Sequence, residues 1–255
     1  MALFTDGAIS TAWDLQEYDA SVLSVASTEG IDVTGKVNLA QKDLANELIL
    51  FLLRRATFRD YPPNIRRSRG LADVVVTDAL RQWHIYKTLA MVYRDAYNNQ
   101  LNDRYQGKWN EYEQLSKESS RTYFRLGVGV VADPIPRASV PTLETGAGGG
   151  AGGSYYAAAS WVNSAGEEGS PSNYAEVSTS AGQSLTVTLS GCPPNVTGWN
   201  VYVGTSPSTV TRQNSSPLST GGSWTVTGVI STGAPLPAGQ KPSWFIVDHS
   251  TIERG

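Results

Sequence analysis

A helical bundle followed by a small antiparallel β-sandwich is the fold class this sequence predicts, and three observations predict it. The first is charge. Seventeen of the Lys and Arg residues precede Gly146 and three follow it, and for Asp and Glu the numbers are eighteen and five. The second is periodicity, with apolar residues spaced three and four apart in the front part and two apart in the rear part. The third is the run 146–153, almost pure Gly and Ala, which reads as a flexible tether. For 255 residues, a domain size of about 150 residues makes two domains the expectation. The boundaries follow: a helical part over 1–145 that ends in an extended arm, a linker over 146–153, a β part over 154–236 and a tail over 237–255.

Thr11 and Asp14 have the spacing of a capping box, in which a hydroxyl accepts from the third amide and a carboxylate reaches back. They predict a short first helix through about Val25. Gly30 separates it from a second helix with Asp32 as N-cap. There Val33, Val37, Ala40, Leu44, Leu48, Phe51 and Leu52 fall on one side of about six turns, opposite Lys42, Asn46 and Glu47. Tyr61-Pro62-Pro63 cannot continue a helix, so the second is expected to end near Phe58. The third starts at Asp73 or Thr77 and runs to Asn98, with a stripe of Val75, Ile85, Tyr86, Leu89, Val92, Tyr93 and Ala96. The β-branched triplet Val74-Val75-Val76 makes a poor helix opening. Asn102 or Asp103 caps a fourth helix, whose Leu101, Tyr105, Trp109, Tyr112 and Tyr123 share a face to within about half a turn. Aromatic stripes of this kind belong to a core or an interface. Short connections favour antiparallel packing of these helices. After them, residues 127–131 read as a strand or extended arm, and Pro134, Pro136 and Pro141 prevent regular structure.

Beyond the tether, 154–163, 174–179, 184–190, 198–204 and 223–227 alternate or are β-branched between turn-forming clusters, which predicts short strands packed as a compact sandwich. Within Trp199-Asn200-Val201-Tyr202-Val203, alternation assigns Trp199, Val201 and Val203 to the core face and Asn200 and Tyr202 to the other.

Composition excludes several function classes. Cys192 is the only cysteine, so there is no intramolecular disulfide and no multi-thiolate zinc site. The first ten residues lack a basic region followed by an apolar stretch, and no apolar run is long enough to span a bilayer. A soluble protein made in a cytoplasm is the expectation, and the sequons at Asn195 and Asn214 then carry little weight. His84 and His249 are the only histidines, and no Gly-x-Ser-x-Gly elbow accompanies either. His84, between Trp83 and Ile85, reads as a packed residue. His249 beside Asp248 supplies two metal ligands, too few for a site. Glu111 with Glu113, and Glu167 with Glu168, are neighbours too close in sequence to point together on a helix. The latter pair reads as a solvated loop. The glycine run lacks the Lys-[Ser/Thr] ending of a phosphate-binding loop. No catalytic, cofactor or metal residue is assigned, and the chain is expected not to be an enzyme.

Residues 155–163 followed by Ser164-Ala165-Gly166-Glu167-Glu168-Gly169-Ser170-Pro171-Ser172 resemble the opening strand and loop of fibronectin type III-like modules in bacteriophage virion proteins. Thr197-Gly198-Trp199-Asn200-Val201-Tyr202-Val203-Gly204-Thr205-Ser206-Pro207 resembles their central strand and turn. The resemblance covers about 154–228 and implies a fibronectin III- or Ig-like sandwich. Such modules are grafted onto capsid, tail and fibre proteins alike, so the task is not implied with the fold. Tyr18-Asp19-Ala20-Ser21-Val22-Leu23 and Ser27-Thr28-Glu29-Gly30-Ile31-Asp32 are similar to the start of small helical phage proteins of the head-to-tail connector group. This similarity spans roughly 12–126 and rests on helix order and aromatic placement, not on a motif. It implies an adaptor in the virion neck, assembled in the host cytoplasm as a homo-oligomeric ring of about twelve copies. The implied partners are the portal protein above the ring, other neck or tail proteins, and double-stranded DNA in passage, with no membrane. The appended sandwich departs from the minimal adaptor, so its role is not inherited.

Two segments are candidate interfaces. Arg54, Arg55, Arg59, Arg66, Arg67 and Arg69 fall within sixteen positions. In a ring, six arginines per copy turned to the channel would present on the order of seventy charges to DNA and grip what must slide. Protein contact is therefore expected for most of them, with one or two at most near DNA. The tail quartet Trp244, Phe245, Ile246 and Val247 either pairs with the 127–131 arm or adds a strand to the portal. A rival reading makes the chain a tail-tip or fibre component that meets host carbohydrate through Trp161, Tyr202 or Trp224. A cell-wall hydrolase would require Asp248, His249 and a sandwich carboxylate to converge.

Overall fold

The computed structural model describes residues 1–56, 69–100, 103–148, 150, 152–226 and 229–247, with backbone alone at 55 and 56. The chain is mixed α and β: among the described residues, five α-helices lie in its N-terminal half, antiparallel sheets follow, and none of those sheets closes into a barrel. Two compact units result. One comprises Gly7–Ala132 with Pro242–Gly255, the other Met1–Asp6 with Asp133–Lys241.

In the helical unit, Thr11 and Asp14 form the expected capping box at the head of α1 (Ala12–Tyr18). The single helix expected to reach Val25 is instead two, because Asp19 adopts an extended conformation and α2 (Val22–Thr28) starts afresh. The Asp19 carboxylate accepts from Ser21 N at 3.0 Å and Ser21 Oγ at 2.6 Å. Such local side-chain bonds compete with helical ones and stop the helix. In α3 (Val33–Ala56) the stripe buries Val37, Ala40, Leu44, Leu48 and Leu52. The end expected near Phe58 lies outside the described residues, as do Leu101 and Asn102. Helix α4 (Asp78–Gln100) is buried on several sides, with Leu80, Trp83, Ile85, Leu89, Val92 and Tyr93 among its interior residues. Lys36 with Asp95, and Lys87 with Asp43 at 3.4 Å, link α3 to α4. Tyr105, Tyr112 and Tyr123 of α5 (Asp103–Leu126) are buried, and the Tyr112 ring stacks on Tyr93 at 5.6 Å.

Val74-Val75-Val76 is not helical. Val74 bridges to Val130, and Val75 N donates to Gly129 O at 2.9 Å, so the β-branched triplet extends alongside β1 (Val128–Val130). The tail segment β10 (Trp244–Ile246) pairs antiparallel with β1, Val128 opposite Ile246 and Val130 opposite Trp244. Gly127, at φ +100, turns the chain from α5 into β1, and a Cβ there would stand 3.0 Å from Phe245 Cβ.

The second unit has two sheets. One has the order β2-β5-β9 (Thr142–Ala147, Gln183–Thr188, Ser223–Val226). The other has the order β4-β3-β6-β7 (Ala175–Thr179, Gly153–Asn163, Val196–Gly204, Thr211–Arg212), with β8 (Leu218–Ser219) also on β6. Tyr155, Ala157, Ala159 and Trp161 from β3 and Trp199, Val201 and Val203 from β6 join Leu185, Val187 and Val226 of the other sheet in one apolar cluster. The other face of β3 and β6 is covered too: Ala158, Tyr202 and Val210 form a second cluster with Tyr156 and Leu236 packed against it. Met1–Asp6 belongs to this unit, with Leu3 and Phe4 buried and Asp6 Oδ1 accepting from Arg137 N at 2.8 Å.

The run 146–153 is not a tether between units; it lies within the β unit, where Gly148 N donates to Gly182 O at 3.1 Å and Gly182 N to Gly150 O at 3.0 Å. A Cβ at Gly150 would stand 2.1 Å from Gln183 O, and one at Gly152 2.7 Å from Ala181 N. Glycine is required here because backbone passes against backbone. The boundary between units falls at Asp133, upstream of the change in composition.

Candidate functional site

Among the described residues, a groove of about 600 Å³ lies between the C-terminal halves of α3 and α5. Leu50, Phe51 and Phe124 supply apolar surface, and Arg54, Arg121 and Arg125 line it together with Glu47. The Phe51 and Phe124 rings stand 4.8 Å apart. Leu50 and Leu53 are 55% and 60% exposed, and Leu126 at the end of α5 is 61% exposed. Of the expected arginine cluster, Arg54 therefore lines a groove. Arg59, Arg66 and Arg67, and the side chain of Arg55, lie outside the described residues.

Arg69 does not belong with that surface. Its side chain is 5% exposed. Nη1 donates to Val131 O at 2.7 Å and Ala132 O at 3.2 Å, faces Asp73 Oδ1 at 3.5 Å, and the guanidinium sits 5.2 Å from the Trp244 ring. Asp73 Oδ2 accepts from Gly70 N at 2.8 Å. The expected interface arginine is an internal clasp, held by the Val131 and Ala132 carbonyls. Of the two alternatives for the tail, pairing on its own arm is the one observed: Trp244, Phe245 and Ile246 lie on β1, Ser243 N donates to Val130 O at 2.8 Å, and Val247 follows half-buried. Phe245 remains 55% exposed.

His84 is fully buried. Its Nε2 stands 3.0 Å from Val37 O and its Nδ1 2.8 Å from Ser10 Oγ. A carbonyl oxygen only accepts, so Nε2 carries the proton and Nδ1 accepts from the serine hydroxyl. Burial lowers the His84 pKa to about 4, against the raising effects of the Val37 bond and Asp14. The Ser–His spacing resembles that of a nucleophile and its base, but Ser10 is 1% exposed and the second nitrogen meets a backbone carbonyl, so the pair is a packing contact.

Asp19 is a buried charge of the helical unit, 7% exposed. Tyr93 and Tyr112 hydroxyls donate to Oδ2 at 2.9 and 2.7 Å, and Lys108 Nζ lies 3.4 Å away. Burial works to raise its pKa, but the bonds from Ser21, Tyr112 and Tyr93 outweigh it and hold the carboxyl well below the usual range. Burial, with the bond to Asp19 adding to it, raises the Tyr112 pKa above its ordinary value. Every oxygen of this hub is engaged within the fold.

In the β unit, Trp161 and Tyr202 are 1% exposed and Trp224 is half-buried. The three aromatics expected on a carbohydrate-facing surface are therefore not a surface set, because both faces of β3 and β6 are covered. Glu167 and Glu168 are likewise not a merely solvated loop. The Glu168 carboxylate accepts from Ser160 Oγ, from Asn200 Nδ2 at 2.8 Å and from the Tyr202 hydroxyl at 2.5 Å. Glu167 accepts from Asn163 Nδ2 at 2.9 Å and Gln240 Nε2 at 3.1 Å. Both sequon asparagines point their amides into the unit, Asn195 to Asp133 and Asn214 to Asn200. Asp248 and His249 lie outside the described residues. Among the described residues, no three His, Cys, Asp or Glu side chains group as metal ligands, and no helix is long and apolar enough to cross a membrane.

The groove was missed by periodicity, which seeks one apolar face. Its signal is the unbroken run Leu48-Ile49-Leu50-Phe51-Leu52-Leu53, apolar on every side of a helix that is otherwise amphipathic. No protein family, no characterised protein and no solved structure matches the chain.

Proposed function

We propose that this chain is a structural subunit of a bacteriophage head-to-tail connector, an adaptor whose copies form a ring beneath the portal through which DNA passes. In this reading the helices pack as an antiparallel bundle and carry the assembly surfaces. The β unit is a fibronectin III-like sandwich that serves as an accessory, as its shared two-sheet core suggests. The observation that carries the proposal is the apolar, arginine-bearing groove on α3 and α5, together with Trp13 at 74% exposure. Isolated exposed apolar residues are ordinary, but a lined groove with exposed leucines beside it is the mark of an interaction surface. The polar clusters in both units favour the same reading, since Asp19, His84, Glu167 and Glu168 are engaged in holding the fold. The alternative of a tail-tip or fibre protein that binds carbohydrate loses support from the burial of Trp161 and Tyr202.

The test is sedimentation of the full-length chain with assembled portal protein from the same particle. Co-sedimentation at a fixed stoichiometry is expected. A chain that stays in the supernatant at every concentration overturns the reading.

A further inference from the structure

We propose that the groove between α3 and α5 receives α1 of a second copy of this chain, with Trp13 as the anchoring side chain. The inference rests on the side-by-side assembly proposed above and names the two surfaces that make it.

Both halves of the contact lie on the helical unit. Trp13 is 74% exposed on α1, and Glu17 beside it is exposed. Helix α1 carries Asp14 and Glu17 and no basic residue. Asp14 is occupied by Thr11 and lies 4.0 Å from Arg81, which leaves Glu17 as the outward charge. The groove has the opposite character: among the described residues its lining carries the exposed Arg121 and Arg125, while the Glu47 carboxylate accepts from Ser120, and Leu50 and Phe124 lie beside them. A volume of about 600 Å³ is within the range that accepts large side chains. Tryptophan and arginine are the residue types that dominate interface energetics when desolvated, and an acidic helix with one large ring fits a basic groove with an aromatic lining. Duplex DNA does not suit it, since phosphates would find apolar side chains among the arginines. Because the two surfaces differ, the contact is heterologous. Repeated from copy to copy it closes a ring when the rotation divides the circle.

The test replaces the exposed Cys192 with serine and builds two single-cysteine chains on that background, Gln16→Cys beside Trp13 and Thr122→Cys beside Arg121, which leave the anchor and the groove lining intact and are distinguished by tag size. Mixed at near-millimolar concentration and oxidised, they trap even a weak contact. The crossed disulfide is expected at about tenfold or more above the two self-paired products. A crossed product at no more than its statistical share overturns the proposal. Independently, Trp13→Ala, a change at an exposed position with no effect on the melting profile, is expected to weaken self-association by about tenfold or more; unchanged association overturns the proposal as well. Portal co-sedimentation separates the two levels. Binding to portal without the crossed disulfide sinks this interface alone, whereas the crossed disulfide without portal binding supports the interface and removes the connector reading.

Discussion

His84 sets the acid sensitivity of the helical unit. Folded, its pKa is lowered to about 4 by burial, against an ordinary value of 6.5. The unfolded chain therefore binds more protons between those values, so the stability that neutral His84 contributes is complete above pH 6.5 and is lost as pH falls toward 4. Relative to His84→Gln, the wild-type chain is expected to lose about 3 kcal/mol between pH 7 and pH 4, measured by urea denaturation at each pH. A constant difference between the two across that window would contradict the assignment. Asp19 acts lower: its depressed pKa contributes stability that is present above the ordinary carboxylate value of 3.8 and is lost below it. Two tyrosines make a matched pair. Tyr123 is fully buried and its hydroxyl has no hydrogen-bond partner among the described residues, whereas the Tyr112 hydroxyl donates to Asp19 at 2.7 Å. Tyr123→Phe should leave stability unchanged or raise it by about 1 kcal/mol, while Tyr112→Phe should lower it by about 1–2 kcal/mol. Thermal or chemical melts of the two variants compare them directly.

At the scale of elements, the glycine run makes a sharp prediction. Gly150→Ala drives a methyl to within 2.1 Å of Gln183 O, while at Gly146 the nearest atom would be Ser184 Oγ at an ordinary 3.6 Å. The first change should destabilise the β unit by about 1–3 kcal/mol and the second should be near neutral. Two neutral substitutions, the behaviour of a true tether, would refute the close approach. Composition cannot distinguish these cases, because glycine serves both a loose linker and a tight backbone contact. The helices were far more legible. The α3 stripe of Val37, Ala40, Leu44, Leu48 and Leu52 could be read because one face is buried and spacing alone encodes a face. The break between α1 and α2 could not, since it depends on the Asp19 carboxylate reaching back to Ser21. Five strands were legible from alternation. The outer covering of β3 and β6 was not, because residues such as Glu168 and Leu236 reach Tyr202 through tertiary packing that no local period records.

For the molecule as a whole, the partition into units does not follow the order of the chain. Met1–Asp6 joins the β unit and Pro242–Gly255 the helical one, so both termini belong with the unit more distant in sequence. Composition detected two units but misplaced their border, since Asp133–Ala147 carries front-part charge while it builds the β unit. Of the candidate surface, Arg54 was legible as a basic position. Trp13, Arg121 and Phe124 were not, because a groove is a property of two helices together. An assembly that presents such grooves and anchors in rotation is expected to close around an axis. The measurement that tests this most directly is an electron-microscopic reconstruction of the particle that carries the chain. A closed ring of copies around the DNA channel at the neck, in contact through their helical units, is the predicted result; copies at the distal tail, or single protomers with Trp13 and the groove open to solvent, would contradict it.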